Sequence, residues 1–279
     1  MSKSVRVGSV EIGPGLPLAL IAGPCALESL DLALRVGGRV RDLCAALGIP
    51  YVFKSSYLKD NRTSPGSYAG PGPERGLEML GVIREKLGVP VLSDVHERAE
   101  LPAAADALDA LQIPAFLCRQ TRLVREAART GKPLNIKKGQ FMAPDDMVRT
   151  AGKAIAEENR NVMLTERGSS FGYHDLVVDM RSIAVMRQAG FPVVFDATHS
   201  VQRPGAAGGV SGGSPEYVPL LARAAVAAGC DALFLETHPD PPSALSDAHS
   251  MVPLDALEEI LKAARRVAGA VGRPTGDSA

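Results

Sequence analysis

Short apolar runs alternate with longer amphipathic segments along most of the chain. The runs are rich in Val, Ile, Leu and Ala, which is typical of strands buried on both faces of a parallel sheet. Each run is followed by a segment whose apolar positions recur with helical spacing. Eight such runs predict strands, at residues 18–21, 51–53, 89–92, 110–113, 134–136, 162–164, 193–195 and 232–235.

Eight strand–helix units in 279 residues predict one α/β domain, residues 1–279, folded as a (β/α)8 TIM barrel. A doubly wound sheet is the competing arrangement, because composition does not distinguish the two. Residues 5–12 alternate loosely around Gly8 and predict a short N-terminal β-hairpin that closes the bottom of the barrel. Several predicted helices end at a glycine just before the next strand, as helix C-termini often do; these are Gly48, Gly88, Gly131, Gly190 and Gly229.

The composition favours an aliphatic core and a small-molecule ligand. Hydrophobic residues make up 46% of the chain and aromatic residues 4%, without tryptophan. Lys and Arg number 31, as do Asp and Glu, so the zero net charge argues against a nucleic-acid surface or a polybasic membrane patch. No apolar stretch approaches the ~18 residues of a membrane span. The four cysteines are scattered and the N-terminus lacks a signal-peptide pattern, so we expect a cytoplasmic protein with reduced thiols.

Polar side chains follow nearly every predicted strand, at the end where barrel enzymes place their active sites. One group is cationic and matches carboxylate or phosphate ligands; it comprises Lys54, Lys59, Arg119, Lys137 and Arg167. Two long loops, residues 55–72 and 203–215, lie at the same end. The second is rich in glycine and predicts a lid that closes over substrate, with a disordered connection as the alternative.

A second group combines one thiol, one imidazole and two carboxylates, which are ligands for Zn²⁺, Fe²⁺ or Mn²⁺; it comprises Cys25, His199, Glu236 and Asp247. Their spacing is non-local, so each also has an ordinary interpretation. Cys25 can be a small buried apolar residue. His199 can be a general base or a loop histidine.

A series of segments, in order between about residues 20 and 265, resembles the 3-deoxy-manno-octulosonate 8-phosphate synthases, also called 2-dehydro-3-deoxyphosphooctonate aldolases. The resemblance implies a (β/α)8 barrel, usually a homotetramer. It also implies a transferase that condenses phosphoenolpyruvate with arabinose 5-phosphate for the lipopolysaccharide inner core. The matching segments are IAGPCALES, YVFKSSYLKDNRTS, SDVHE, LQIPAFLCRQT, NIKKGQF, TERGSSFGY, LVVDMRS, FDATHSVQ, FLETHPDP and ALSDA.

Two details of the resemblance refine the expected acceptor and metal use. Asn61 in the loop after the second strand is similar to the octulosonate enzymes, whereas Asp60 departs from their alanine. Cys25 and the Ser246–Asp247–Ala248 triplet resemble the metal-dependent branch. The resemblance therefore implies one divalent ion of the Zn, Fe or Mn type, held by Cys25, His199, Glu236 and Asp247.

The resemblance also implies roles for the strand-end residues. It implies that phosphoenolpyruvate is held by Lys54, Lys59, Lys137 and Arg167, with Ser56 and Gln112 nearby. It implies that the pentose phosphate is held by Asn61, Arg62 and Thr63, with Asp94 on the sugar hydroxyls and Arg62 near a subunit boundary. Catalytic roles are expected of His199, Cys25, Asp247, Lys59 and Asn61. The alternatives are a heptulosonate synthase that uses erythrose 4-phosphate, a sialic-acid-type synthase, and a non-catalytic sensor of anionic metabolites.

Overall fold

The computed structural model describes residues 4–62, 66–207 and 210–275. These residues form a closed barrel of eight parallel strands, which confirms the predicted fold. The last barrel strand pairs with both the first and the seventh, so the sheet has no free edge. The barrel strands are β3 (Ala19–Gly23), β4 (Tyr51–Lys54), β5 (Val91–Asp94), β6 (Ala110–Ile113), β7 (Leu134–Lys137), β8 (Val162–Glu166), β11 (Val193–Asp196) and β14 (Ala232–His238).

Helices surround the barrel and bury their apolar stripes against it. The first helix begins at the Ser29 cap, whose hydroxyl accepts a hydrogen bond from the Leu32 backbone nitrogen. It ends at Gly48 in the left-handed region, and the other four predicted helix-ending glycines also have positive φ. The helices are α1 (Leu30–Leu47), α2 (Pro73–Leu87), α3 (Leu101–Ala107), α4 (Thr121–Arg129), α5 (Pro144–Ile155), α6 (Arg181–Gln188), α7 (Val218–Ala227) and α8 (Leu257–Ala270).

The predicted N-terminal hairpin is present and closes the bottom of the barrel. Strands β1 (Val5–Val7) and β2 (Val10–Ile12) are antiparallel and meet at Gly8, which has φ of +55°. Their apolar side chains pack against barrel-interior residues such as Ile21, Met163 and Phe234. Because this end is filled, the open end of the barrel is the one formed by the carboxyl ends of the strands.

The strand bounds differ from the prediction mainly at the carboxyl ends. The predicted run 89–92 is strand Val91–Asp94, and strand β7 extends to Lys137. Asp94 and Lys137 therefore belong to the strands, because each is paired with a residue of the neighbouring parallel strand. Their side chains are consequently held by the sheet and not by flexible loops.

Three further pairings were not predicted. β9 (Ser169–Gly172) pairs with β10 (Asp175–Val177), and β15 (Val252–Pro253) adds to the end of β14. The glycine-rich segment expected to be a lid, with a disordered connection as the alternative, contains β12 (Gln202–Ala207) and β13 (Val210–Gly213), which form an antiparallel pair. No helix in the described part of the chain is long and apolar enough to cross a membrane.

Candidate active site

A cavity of about 550 Å³ opens at the carboxyl ends of the barrel strands. Its size suits small-molecule ligands, since ligand pockets commonly measure ~300–1,000 Å³. Its wall includes ten of the residues predicted from the sequence, which are Lys54, Lys59, Asn61, Arg62, Asp94, Gln112, Lys137, Arg167, His199 and Asp247.

Lys54 lies at the centre of a buried charge cluster on the cavity floor. Its Nζ is 2.8 Å from Ser56 Oγ, 3.1 Å from Glu236 Oε1 and 3.4 Å from Asp94 Oδ2. Burial raises the pKa of Asp94, but Lys54 and Lys59 outweigh this and hold the pKa well below its usual range. Ser56 donates to Asp94 from behind the cavity wall, so it orients that carboxylate. Lys54 is thus hydrogen-bonded to Ser56 and lies between two buried carboxylates.

A second cluster joins Lys137, Asp196 and His199. Lys137 forms an ion pair with Asp196, and its Nζ lies 3.3 Å from the centroid of the Phe234 ring. His199 Nδ1 is 2.7 Å from Asp196 Oδ2, and the His199 backbone nitrogen donates to Asp196 Oδ1. Burial lowers the pKa of His199, but Asp196 and Glu236 outweigh it and raise the pKa. Asp196 thus orients the imidazole and directs Nε2 away from itself.

Cys25, Glu236 and Asp247 converge on one point beside the cavity. One ligand atom of each lies within 4.8 Å of the others, and Cys25 Sγ is 3.2 Å from Asp247 Oδ2. His199 Nε2 lies alongside, 3.6 Å from Glu236 Oε2 and 3.7 Å from Asp247 Oδ2. Asp247 has φ of +47°, an uncommon conformation that often marks functional sites.

This group fits a divalent metal ion. Burial first, and then Asp247 and Glu236, raise the pKa of the Cys25 thiol well above its usual value, while Lys59 and Lys54 act in the opposite direction. Glu236 Oε2 is buried and has no hydrogen-bond partner among the described residues. An unsatisfied buried carboxylate oxygen is costly. A thiolate, an imidazole and two carboxylates form a donor set that Zn²⁺, Fe²⁺ or Mn²⁺ accepts.

Arg62 lies at the mouth of the cavity and is held by two backbone carbonyls. Its Nε donates to the Tyr68 carbonyl at 2.9 Å and its Nη2 to the Leu245 carbonyl at 3.0 Å. The Leu245 backbone nitrogen in turn donates to Glu28 Oε1. The Arg62 side chain is therefore oriented into the cavity of its own chain, next to the loop that carries Asp247.

Comparison with known proteins identifies the family. The DAHP synthetase I family matches residues 2–271. The chain belongs to this family. A protein from Trichlorobacter lovleyi is 54% identical over 262 residues, covering 94% of this chain and 96% of that protein. Two further similar proteins come from Acidithiobacillus ferrooxidans (55% identity, 92% of each chain) and Methylococcus capsulatus (55%, 90% of this chain and 89% of that protein). All three relatives are named 2-dehydro-3-deoxyphosphooctonate aldolase. The resemblance found in the sequence motifs is thus confirmed.

The structure of this DAHP synthetase I family member does not bring every predicted residue to the cavity. Arg119 is exposed and is not part of the cavity wall, although the wall includes the 3-10 helix Ala115–Leu117 just before it. Gln112 is the residue of that strand that reaches the cavity. Cys25, Ser56 and Glu236 lie behind the wall, and Thr63 lies outside the described residues.

Sequence reasoning also left some site residues without a role. Asp196 lies at the carboxyl end of a barrel strand, as the predicted residues do, and this position could have identified it as a site residue. Gln202 accepts a 2.8 Å hydrogen bond from Arg167 Nη2, and Ser246 lies 3.0 Å from Cys25 Sγ. Gln202 had no role signalled by the sequence pattern, because it follows its strand by several residues and acts through a contact with another part of the chain. Ser246 stood in the triplet that resembles the metal-dependent branch, but no role was predicted for it.

Proposed function

We propose that this protein condenses phosphoenolpyruvate with D-arabinose 5-phosphate and water to give 3-deoxy-D-manno-octulosonate 8-phosphate and inorganic phosphate. The observation that carries this proposal is the arrangement of the cavity: buried lysines on its floor, and Arg62 with Asn61 at its mouth. Two anionic substrates can be held there with their reacting carbons together. The name shared by the relatives, at 52–55% identity, supports this acceptor over erythrose 4-phosphate.

Positioning and charge neutralisation are the main tasks of the residues. C3 of phosphoenolpyruvate attacks the aldehyde carbon, water adds to C2, and phosphate leaves by cleavage of the C2–O bond. Lys54, Lys137 and Arg167 neutralise the carboxylate and phosphate of phosphoenolpyruvate, and Arg62 binds the pentose phosphate. Holding both reactants in register can supply ~7–11 kcal/mol of the barrier.

The pair of His199 and Asp196 presents one ring nitrogen to the proposed metal-binding group. Asp196 fixes Nδ1 at 2.7 Å, so Nε2 faces the Glu236 and Asp247 carboxylates. Nε2 is therefore the atom of His199 that can bind a metal ion. Asp94, kept ionised by Lys54, can accept hydrogen bonds from the hydroxyl groups of the acceptor sugar.

We further propose that Cys25, His199, Glu236 and Asp247 hold one divalent ion of the Zn, Fe or Mn type. Such an ion would supply Lewis acidity, either to the aldehyde oxygen or to the water. The unpartnered Glu236 oxygen and the acidic cluster around it support this assignment.

The wider setting of the reaction is also part of the proposal. The product class belongs to lipopolysaccharide inner-core synthesis, and we propose a cytoplasmic homotetramer. All four cysteines are free and buried, which suits a reducing compartment. Arg62 lines the cavity of its own chain, and we propose that it also lies near a subunit boundary of this homotetramer.

The test is phosphate release from phosphoenolpyruvate with arabinose 5-phosphate or erythrose 4-phosphate as acceptor. Each reaction is run with the purified protein, after exhaustive chelation, and after adding back Mn²⁺, Zn²⁺ or Fe²⁺. We expect release with arabinose 5-phosphate that is lost on chelation and restored by metal. Phosphate release only with erythrose 4-phosphate would contradict the proposal that arabinose 5-phosphate is the acceptor. Full activity in metal-stripped protein would contradict the proposed metal requirement. No phosphate release with either acceptor would favour the alternative of a non-catalytic sensor.

A further inference from the structure

Two polar side chains lie inside the barrel wall without reaching the cavity. Asn135 on β7 and Thr165 on β8 are each 0% exposed, and neither lines the cavity. Burying an amide or a hydroxyl costs free energy unless every polar group is hydrogen-bonded. Apolar residues of similar size would fill these positions without that cost. Their polarity therefore calls for a reason other than packing.

The two residues are the start of a directional chain of hydrogen bonds that ends at the cavity. Thr165 Oγ1 donates to Asn135 Oδ1 at 2.5 Å. Asn135 Nδ2 donates to Gln112 Oε1 at 2.8 Å. Gln112 Nε2 then donates to Asp94 Oδ1. This chain of hydrogen bonds crosses four adjacent barrel strands, from β8 to β5.

The ionised end of the chain fixes its direction. Asp94 is held as a carboxylate by Lys54, so it only accepts hydrogen bonds. Gln112 must therefore turn its NH₂ group towards Asp94 and its oxygen towards Asn135. Asn135 must then turn its own NH₂ group towards Gln112, and its oxygen accepts from the Thr165 hydroxyl. Rotating the Gln112 amide by 180° would place its oxygen against the Asp94 carboxylate and its NH₂ group against the NH₂ group of Asn135. Rotating the Asn135 amide would place its oxygen against the Gln112 oxygen.

We propose that Thr165 and Asn135 are positioning residues for the acceptor sugar, acting through Gln112 and Asp94. The chain leaves one Gln112 N–H and the Asp94 carboxylate facing the cavity in a fixed geometry, where they receive the hydroxyl groups of the aldose. Without the hydrogen bonds from Thr165 and Asn135, the Gln112 amide can rotate by 180°, and Asp94 then loses the hydrogen bond from Gln112 Nε2. This inference rests on the proposed function. It differs from the family resemblance in one respect, since it places Gln112 beside the acceptor, on the side of the cavity formed by β5 and β6, and not beside phosphoenolpyruvate.

The decisive variant is Thr165→Val, which keeps the shape of the side chain and removes only the hydroxyl. Thr165→Ser retains the donor and is the conservative variant. Thr150→Val, a buried threonine on α5 away from the cavity, is the matched control. We expect Thr165→Val to raise KM for arabinose 5-phosphate about tenfold, which corresponds to ~1.4 kcal/mol. We expect Thr165→Ser and Thr150→Val to stay within about twofold of the parent protein, since neither loses the donor to Asn135.

This readout separates positioning from stability. A smaller folded fraction would lower the apparent kcat and leave KM unchanged. A second arm repeats Thr165→Val in a Gln112→Leu background, where the chain is already broken and no further loss is expected. An unchanged KM in folded Thr165→Val, or an equal loss in both backgrounds, would overturn the inference. Failure of the parent protein to release phosphate would instead count against the proposed function.

Discussion

The buried lysine of β7 sets a pH limit at the scale of a single residue. Burial, partly offset by Asp196, lowers the pKa of Lys137 to about 8. Below that pH its ammonium group is charged and attracts the anionic substrate, and above it the group becomes neutral. We therefore expect kcat/KM for phosphoenolpyruvate to fall as pH rises through about 8.

The check is the pH profile of kcat/KM in the parent protein and in Lys137→Arg. The guanidinium remains charged across the accessible range, so the variant should lose this alkaline limb even if its maximal activity is lower. A limb at the same pH in both proteins would assign it to another group.

Arg62 is the residue whose loss should affect the two substrates most unequally. It uses two of its donors on the Tyr68 and Leu245 carbonyls, which leaves the rest of the guanidinium for the pentose phosphate. We expect Arg62→Ala to raise KM for arabinose 5-phosphate by roughly 10- to 100-fold, as for loss of a charge-assisted hydrogen bond. KM for phosphoenolpyruvate should change much less.

Steady-state kinetics with each substrate varied in turn measures this difference. Arg62→Lys should lie between the parent protein and Arg62→Ala, because one ammonium group cannot replace the fork of donors. The exposed Arg41, paired with Asp42 on α1, supplies Arg41→Ala as the control. Equal increases in both Michaelis constants would contradict the role given to Arg62.

At the scale of elements, the N-terminal hairpin contributes stability and not chemistry. Ile12 is 0% exposed and packs in the cluster that fills the bottom of the barrel. We expect Ile12→Ala to lower the free energy of unfolding by ~2–5 kcal/mol, as for other large-to-small core substitutions. The cavity is at the opposite end, so kcat well below the melting temperature should stay unchanged.

Denaturant unfolding and kcat measured on the same samples test this separation. Arg6→Ala is the matched control, since its side chain is 72% exposed on the outer face of the same hairpin. Its effect on stability should stay within about 0.5 kcal/mol. A large loss of kcat in folded Ile12→Ala would show that the hairpin communicates with the cavity.

The elements that the sequence predicted are those whose apolar pattern is set by burial. Barrel strands are buried on both faces, so their apolar runs stand out, and the first hairpin alternates because one face meets the barrel. The β9–β10 pair offers no such pattern, since Phe171 and Val177 are exposed. Arg119 was predicted to be a site residue because it follows a strand; its side chain is exposed and lies outside the cavity wall, which ends along this segment at Leu117.

At the scale of the whole molecule, the proposed metal-binding group spans the seam where the barrel closes. Cys25 follows the first barrel strand and Glu236 lies on the last, and these strands pair along five residues. Cys25 and Asp247 are 222 residues apart in sequence. Local sequence patterns predicted the four candidate ligands. Only closure of the barrel brings ligand atoms of Cys25, Glu236 and Asp247 within 4.8 Å of one another, with His199 beside them.

An ion at this seam should stabilise the folded chain, since its ligands are together only when the barrel is closed. At a free metal concentration of 100 times Kd, binding to the folded state alone adds ~2.7 kcal/mol. We therefore expect the melting temperature to fall on chelation and to rise with metal concentration, and Cys25→Ala to lose bound metal and most of that response. Cys44→Ala, which removes a buried thiol on α1, should keep the full response. Metal content and thermal unfolding measure this without reference to activity, and a Cys25→Ala protein that binds metal and responds like the parent would remove Cys25 from the ligand set.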